Sequence, residues 1–193
     1  MKIIFATNNK NKVEEIKHLS HQKFEIFTLQ EVGIDIDIPE PHDTLEANAT
    51  EKSTTIYKLT NEAVFSEDTG LEVEALNGAP GVKSARYAGE GRNMQDNIDK
   101  LLAELKDKPT RAAQFRTVVS LIIGGKEYQF EGICKGHITH EMDGSNGFGY
   151  DPVFEPTGYA ITFAEMSIEE KNTISHRGKA IAALRDFLSS RAQ

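Results

Sequence analysis

Tryptophan is absent from this 193-residue chain, and cysteine occurs once, as Cys134. A single thiol cannot close an internal disulfide, so a disulfide-stapled scaffold is excluded and a reducing, cytoplasmic setting is expected. No apolar run approaches the ~20 residues that a membrane span requires. The opening stretch Met1–Ala6 meets Asn8 and Asn9 at once, too soon for the apolar core of a signal peptide. Basic residues are in deficit: 22 Lys and Arg stand against 30 Asp and Glu, a formal net charge of −8. That balance offers no broad basic face for nucleic acid. A small polyphosphate remains a suitable ligand, held by a few local lysines and by a metal bridging carboxylates to phosphate oxygens. Low-complexity tracts, repeats and linkers are also missing, so residues 1–193 read as one domain, or two closely joined lobes, with ample core.

What is present is an interleaving of strand and helix patterns, which predicts an α/β fold with a mixed sheet. Lys2 to Ala6 reads as a buried strand, and Val13, Ile16 and Leu19 then recur at helical spacing. Phe24 to Leu29 alternates as a second strand, and Thr44 is placed to cap a helix reaching about Leu59. Further on come a strand at Ala63–Ser66, an acidic turn, a short strand at Leu71–Ala75 and the turn Gly78-Ala79-Pro80-Gly81. Ile98, Leu101, Leu102 and Leu105 mark another amphipathic helix. Phe115–Ile123 and Tyr128–Ile138 read as a hairpin around Gly124-Gly125. Ser167-Ile168-Glu169-Glu170 has the form of a capping box, and Ile181, Leu184 and Leu188 give the last helix an apolar face.

Four segments could carry chemistry. Thr7-Asn8-Asn9-Lys10-Asn11-Lys12 joins a strand to a helix start, where outward N–H groups, hydroxyl, amide and ammonium suit anionic oxygens; a merely solvated helix start is the plain alternative. Ser66-Glu67-Asp68-Thr69-Gly70 follows an apolar strand, and its carboxylates could hold a hard cation and activate water, with Glu40 between Pro39 and Pro41 completing the site. Alternatively it is an ordinary acidic turn. In Gly147-Phe148-Gly149-Tyr150-Asp151-Pro152 a planar base could stack on Phe148 while Asp151 accepts from base N–H groups; a glycine turn plugged by an aromatic explains it as well. Lys171, His176 and Arg177 form a donor-rich group suited to carbonyl oxygens, or a helix cap with solvated charge. Gly124-Gly125-Lys126 is a hairpin turn, not a phosphate loop. His137 and His140 lack metal-ligand company, and Cys134 reads as core packing.

Together these segments resemble the inosine triphosphate pyrophosphatase family, also called XTP/dITP diphosphatases. The opening turn fits its [ST]-x-N-x-x-K pattern. Ser66 to Val73 is similar to its D-[DS]-[ST]-G-L-x-V segment, with Glu67 for a common Asp. Leu76–Val82, Ser84–Gly89, Gly147–Pro152 and Ile174–Gly178 also resemble family text, in order and over nearly the whole chain. Asn8 and Ala47 differ from the Gly and Glu common in the family. The resemblance implies an elongated mixed sheet flanked by helices, two lobes with a central substrate cleft, and a homodimer. It implies Asp68 as proton acceptor and metal ligand, Glu40 as second metal ligand, Mg²⁺ as the metal, and Lys52 near the phosphates. Thr7, Asn8, Asn9, Lys10, Asn11 and Lys12 are expected at the triphosphate, Thr69 at the substrate, and Phe148, Gly149, Tyr150, Asp151, Lys171, His176 and Arg177 at the base. The implied reaction is hydrolysis of ITP, dITP or XTP to monophosphate and pyrophosphate. A pyrophosphatase for pyrimidine or modified nucleotides, or a nucleotide-binding protein without turnover, are the rival readings.

Overall fold

The computed structural model describes residues 1–19 and 24–191, without the side chains of His18 and Leu19. The opening apolar run forms β1 (Lys2–Phe5) and leads into α1 (Lys10–Leu19). Strand β2 (Glu25–Thr28) then lies parallel to β1, with Ile3 opposite Ile26. Helix α2 (Leu45–Thr60) is capped as expected, Thr44 accepting from the Ala47 N–H and Asn61 closing the far end in left-handed geometry at φ 53°.

Strand β3 (Val64–Val73) departs from the expectation of two strands and an acidic turn: it runs unbroken through Glu67 and Asp68. The reason is local neutralisation. Both carboxylates are buried against cations, so the chain need not leave the sheet to solvate them. Downstream, β4 (Pro80–Gly81) pairs antiparallel with β3, so part of the expected 78–81 turn is a short strand. A Cβ on Gly70 would lie 2.7 Å from the Gly81 carbonyl oxygen, which is why glycine stands where β4 approaches.

Helix α3 (Met94–Glu104) starts at an Asn93 cap. Strands β5 (Ala112–Ile123) and β6 (Lys126–Ile138) flank a two-residue turn at Gly124 and Gly125, whose φ of 58° and 76° are those of a tight hairpin. Strand β7 (Phe154–Pro156), not anticipated from the sequence, pairs antiparallel with β6. The Ser167–Glu170 capping box opens α4 (Ile168–Ile174), and extended Ser175 separates it from α5 (His176–Arg191). Among the described residues the sheet order is β2-β1-β3-β5-β6-β7 with β4 on β3, a mixed seven-stranded sheet flanked by five α-helices.

The chain forms two compact units, each made of separated segments. The first comprises Met1–Asp68, Thr117–Gly132 and Arg177–Gln193; the second comprises Thr69–Arg116 and Ile133–His176. In the first unit the period-two alternation of the parallel strands sorts side chains between two clusters. Ile3, Phe5 and Phe65 pack with Ile16, Ile181, Leu184 and Leu188. Ile4, Ala6 and Val64 pack with Leu29 and Ile56. Val13 joins the first of these as its helical spacing predicted, whereas the Leu19 side chain lies outside the described residues. The second unit gathers Leu71, Val73, Ile98, Leu101, Phe115, Phe154 and Phe163, with Cys134 buried among them.

Candidate active site

Alternation along β3 continues into the charged residues. Phe65 and Glu67 share one face, and Ser66 and Asp68 the other, so two adjacent carboxylates serve two different networks.

On the Asp68 face stands α2. Lys52 places its ammonium 2.6 Å from Glu40 Oε1 and 3.2 Å from Asp68 Oδ1. Asn48, one helical turn earlier, donates to Asp68 Oδ2 at 3.3 Å. Ser66 donates to the Ala49 carbonyl, fastening the same helix to the strand. Burial works against the Lys52 ammonium, but the Asp68 and Glu40 carboxylates outweigh it and hold Lys52 above the ordinary lysine range. Burial also pushes the Asp68 carboxyl above the ordinary aspartate range; Lys52 and Lys12 oppose this, while Glu40 and Glu67 reinforce it. The causes differ: the carboxylates hold Lys52 up against burial, whereas burial itself is the main force on Asp68. A carboxylate with raised proton affinity is a better proton acceptor than an ordinary aspartate.

On the Glu67 face, Lys12 lies 3.0 Å from Glu67 Oε1. Arg177 donates to Glu67 through Nη2 at 3.2 Å and to Glu15 through Nη1. Burial disfavours the guanidinium charge, but Glu67 and Glu15 more than compensate and tighten its hold on the proton. Arg177 was expected beside Lys171 and His176 in a wall for the base; in the structure Lys171 donates to Asp151, and Arg177 to Glu67 and Glu15. Consecutive helical residues point about 100° apart, so His176 turns to stack on Phe115, with ring centroids 4.5 Å apart, while Arg177 meets Glu15 and Glu67.

The opening turn is a genuine helix start. Asn9 Oδ1 accepts from the Asn11 and Lys12 N–H groups at 3.0 and 3.2 Å, which makes Asn9 the cap of α1. Thr7 Oγ1 accepts from the Asn9 N–H, and Asn8 Nδ2 donates to the Ile36 carbonyl, so Asn8 anchors the 30–38 segment. Lys10 and Asn11 are exposed.

In the second unit, Thr69 is half-buried on β3. Asp151 Oδ2 accepts from the Phe148 N–H at 2.8 Å and from Lys171 Nζ at 2.6 Å. The Lys171 ammonium also lies 5.4 Å from the centroid of the half-buried Phe148 ring. Tyr150 donates to the Ser84 carbonyl, and Ser84 Oγ in turn accepts from the Leu71 N–H. The Ser84–Gly89 text thus carries part of the scaffold of the 147–151 loop. Asp151, expected to meet a base, here organises its own loop. Gly147, at φ 71°, and Gly149, at φ 64°, give that loop its left-handed turns, and a Cβ on Gly147 would overlap the Asp151 carboxylate. Gly147→Ala is therefore expected to displace Asp151, with a rise in KM of about 10-fold, on the scale of one lost hydrogen-bonded contact. Steady-state kinetics check this, and an unchanged KM would show that Asp151 has no part in holding substrate.

Sequence reasoning missed Glu15 and Asn48, and read Glu67 as one of the carboxylates that could hold a cation, not as the partner of Lys12 and Arg177. The signals were there: Glu15 lies three residues after Lys12 on α1, and Asn48 four before Lys52 on α2, each on a shared helix face.

A mixed α/β sheet whose strand β3 presents two buried carboxylates to lysines from α1 and α2 has the charge pattern of a site for a charged, phosphate-like ligand. The chain belongs to the Ham1 family, whose model matches residues 3–187. It is 52% identical over 190 residues to a dITP/XTP pyrophosphatase of Flavobacterium psychrophilum, covering 98% of this chain and 100% of the relative. It is 53% identical over 188 residues to one from Porphyromonas gingivalis, covering 97% of each. Among solved structures, the Staphylococcus aureus Ham1 protein superposes with a TM-score of 0.90 at 40% identity, covering 99% of this chain and 100% of that one.

Proposed function

We propose that this chain hydrolyses the deaminated purine nucleoside triphosphates ITP, dITP and XTP to a monophosphate and pyrophosphate. The names of its Ham1 relatives support the activity, and the Lys52–Glu40–Asp68 cluster is the observation that carries it. Water attacks the α-phosphorus, the bond to the bridging oxygen breaks, and pyrophosphate leaves. Asp68 accepts the proton released by the attacking water. Lys52 and Lys12 balance charge on the polyphosphate oxygens. Such transfers depend on positioning and electrostatics, so no covalent nucleophile is needed.

Among the described residues, no three His, Cys, Asp or Glu side chains gather as a complete metal cage. Mg²⁺ does not need one, since it is commonly held by one or two carboxylates, with water and substrate phosphates completing the shell. Glu40 and Asp68, two hard oxygen donors converging on one ammonium, fit that pattern and would hold it. When bound, Mg²⁺ neutralises phosphate charge and lowers the pKa of water. Thr7 and the N-terminal turn of α1 through Lys12 supply donors for the triphosphate. Phe148 offers a stacking face, and Lys171 can donate to the six-position oxygen of hypoxanthine or xanthine, where adenine presents an amino donor. His176 and Thr69 complete the substrate contacts in this reading. A homodimer in a reducing cytoplasm belongs to the same reading; among the described residues no helix is long and apolar enough to cross a membrane.

Incubation with ITP and Mg²⁺ should yield IMP and pyrophosphate in equal amounts by chromatography. IDP with orthophosphate would place the attack at the γ-phosphorus and overturn the assignment, and no turnover would favour a binding protein.

A further inference from the structure

Asn48 is completely buried, yet it is polar and belongs to neither the proton-accepting nor the charge-bearing groups. Its amide is committed at both ends. Oδ1 accepts from the His42 backbone N–H at 2.9 Å, and Nδ2 donates to the His42 carbonyl at 3.1 Å. The same Nδ2 donates to Asp68 Oδ2 at 3.3 Å. A two-way grip on one residue's backbone fixes the segment that carries Glu40, two positions upstream. Lys52 spans the same two elements one helical turn away, reaching Glu40 Oε1 and Asp68 Oδ1. Helix α2 therefore holds each oxygen of Asp68 by a different side chain, and holds the Glu40 segment both by backbone and by carboxylate.

We propose that Asn48 is a positioning residue for the hydrolysis. It locks the 40–42 segment and the Asp68 carboxylate into one frame, so that Glu40 and Asp68 converge on the same point. A purely packing role would not demand an amide; here the amide meets the His42 N–H, the His42 carbonyl and an Asp68 oxygen, none of which an apolar side chain could bond. The consequence for rate rests on the proposed activity; the structural part does not. Small displacements of reacting groups cost about 10²-fold in rate while leaving ground-state binding nearly intact.

Two variants and two measurements test this. Asn48→Ala removes every bond, and Asn48→Asp keeps an acceptor for the His42 N–H but loses the donor to Asp68. Both should lower kcat by about 10- to 100-fold while KM for ITP stays within about 3-fold. Amide hydrogen exchange on the metal-free, nucleotide-free protein supplies the second readout. The His42 amide should exchange about ten-fold faster or more in Asn48→Ala, keep its protection in Asn48→Asp, and leave the β1 amides unchanged in both. Unchanged kcat, or a fall in kcat matched by a rise in KM, overturns the positioning role. If the wild-type protein releases no pyrophosphate from ITP, the activity reading fails by itself. Exchange still decides the structural claim then: a His42 amide no faster in Asn48→Ala overturns it.

Discussion

Asp68→Asn should lower turnover of ITP by about 10²-fold or more, the range for a lost acid–base group, while substrate affinity is better preserved. Asparagine matches aspartate in shape but has a single acceptor oxygen, so it can keep the bond from Lys52 or the one from Asn48, not both; the fold should survive the loss of one. What is removed is the proton acceptor and one of two carboxylates gathered on Lys52. The environment sharpens the expectation: burial raises the proton affinity of Asp68 above that of an ordinary aspartate, and an amide supplies none. Single-turnover kinetics alongside equilibrium binding of ITP separate the two effects. Turnover within about 3-fold of wild type would exclude Asp68 from the chemistry, since a lost acid–base group costs far more.

Arg177→Met should be the most destabilising single change in the first unit, at about 3–5 kcal/mol, the cost of leaving a buried ion pair with one partner missing. For a chain of this size that corresponds to a fall in Tm of roughly 6–20 °C. The guanidinium is buried between Glu15 and Glu67, and methionine fills much of the volume while neutralising neither. Adding Glu15→Gln to the variant removes one stranded charge and should recover part of the loss. Thermal unfolding of the single and double variants is the measurement. A fall of less than about 1 kcal/mol, the range of a surface pair, would mean that the network carries little of the stability. A selectivity effect of Arg177 between ITP and ATP has to be read at matched folded fraction, because the residue supports the strand that carries Asp68.

Much of this was legible in the sequence, for identifiable reasons. The Thr44 cap, the Ser167–Glu170 box and the glycine pair at 124–125 are local signals whose geometry depends on few neighbours, and each appears where its residues placed it. The failures share the opposite character. Turn chemistry at Glu67-Asp68-Thr69-Gly70 suggested a break in β3, but ion pairing with Lys12, Arg177 and Lys52, at distances of up to 110 residues along the chain, keeps the strand in the sheet. Arg177 and His176 are adjacent in sequence, but helical geometry turns them to different partners, which no sequence pattern shows. Strand β7 has only three residues, too few for a period to show. Asn48 was missed for a further reason: its helical spacing from Lys52 could be read, but its grip on the His42 backbone could not.

The segmental make-up of the two units limits how the molecule can be taken apart. The first is assembled from three stretches and the second from two, and the chain passes from one to the other inside β3, β5 and β6 and at the start of α5. No single cut releases either unit as a continuous polypeptide. Fragments cut at the unit boundaries would sever strands or the start of α5 rather than loops. Dissection by truncation is therefore unsuited to asking which residues bind the triphosphate and which the base. Point substitutions in the intact chain, and labels placed at chosen positions within it, are the tools the architecture leaves open. For the same reason proteolytic nicking within 64–73 or 112–123 should inactivate the whole molecule rather than yield a working half.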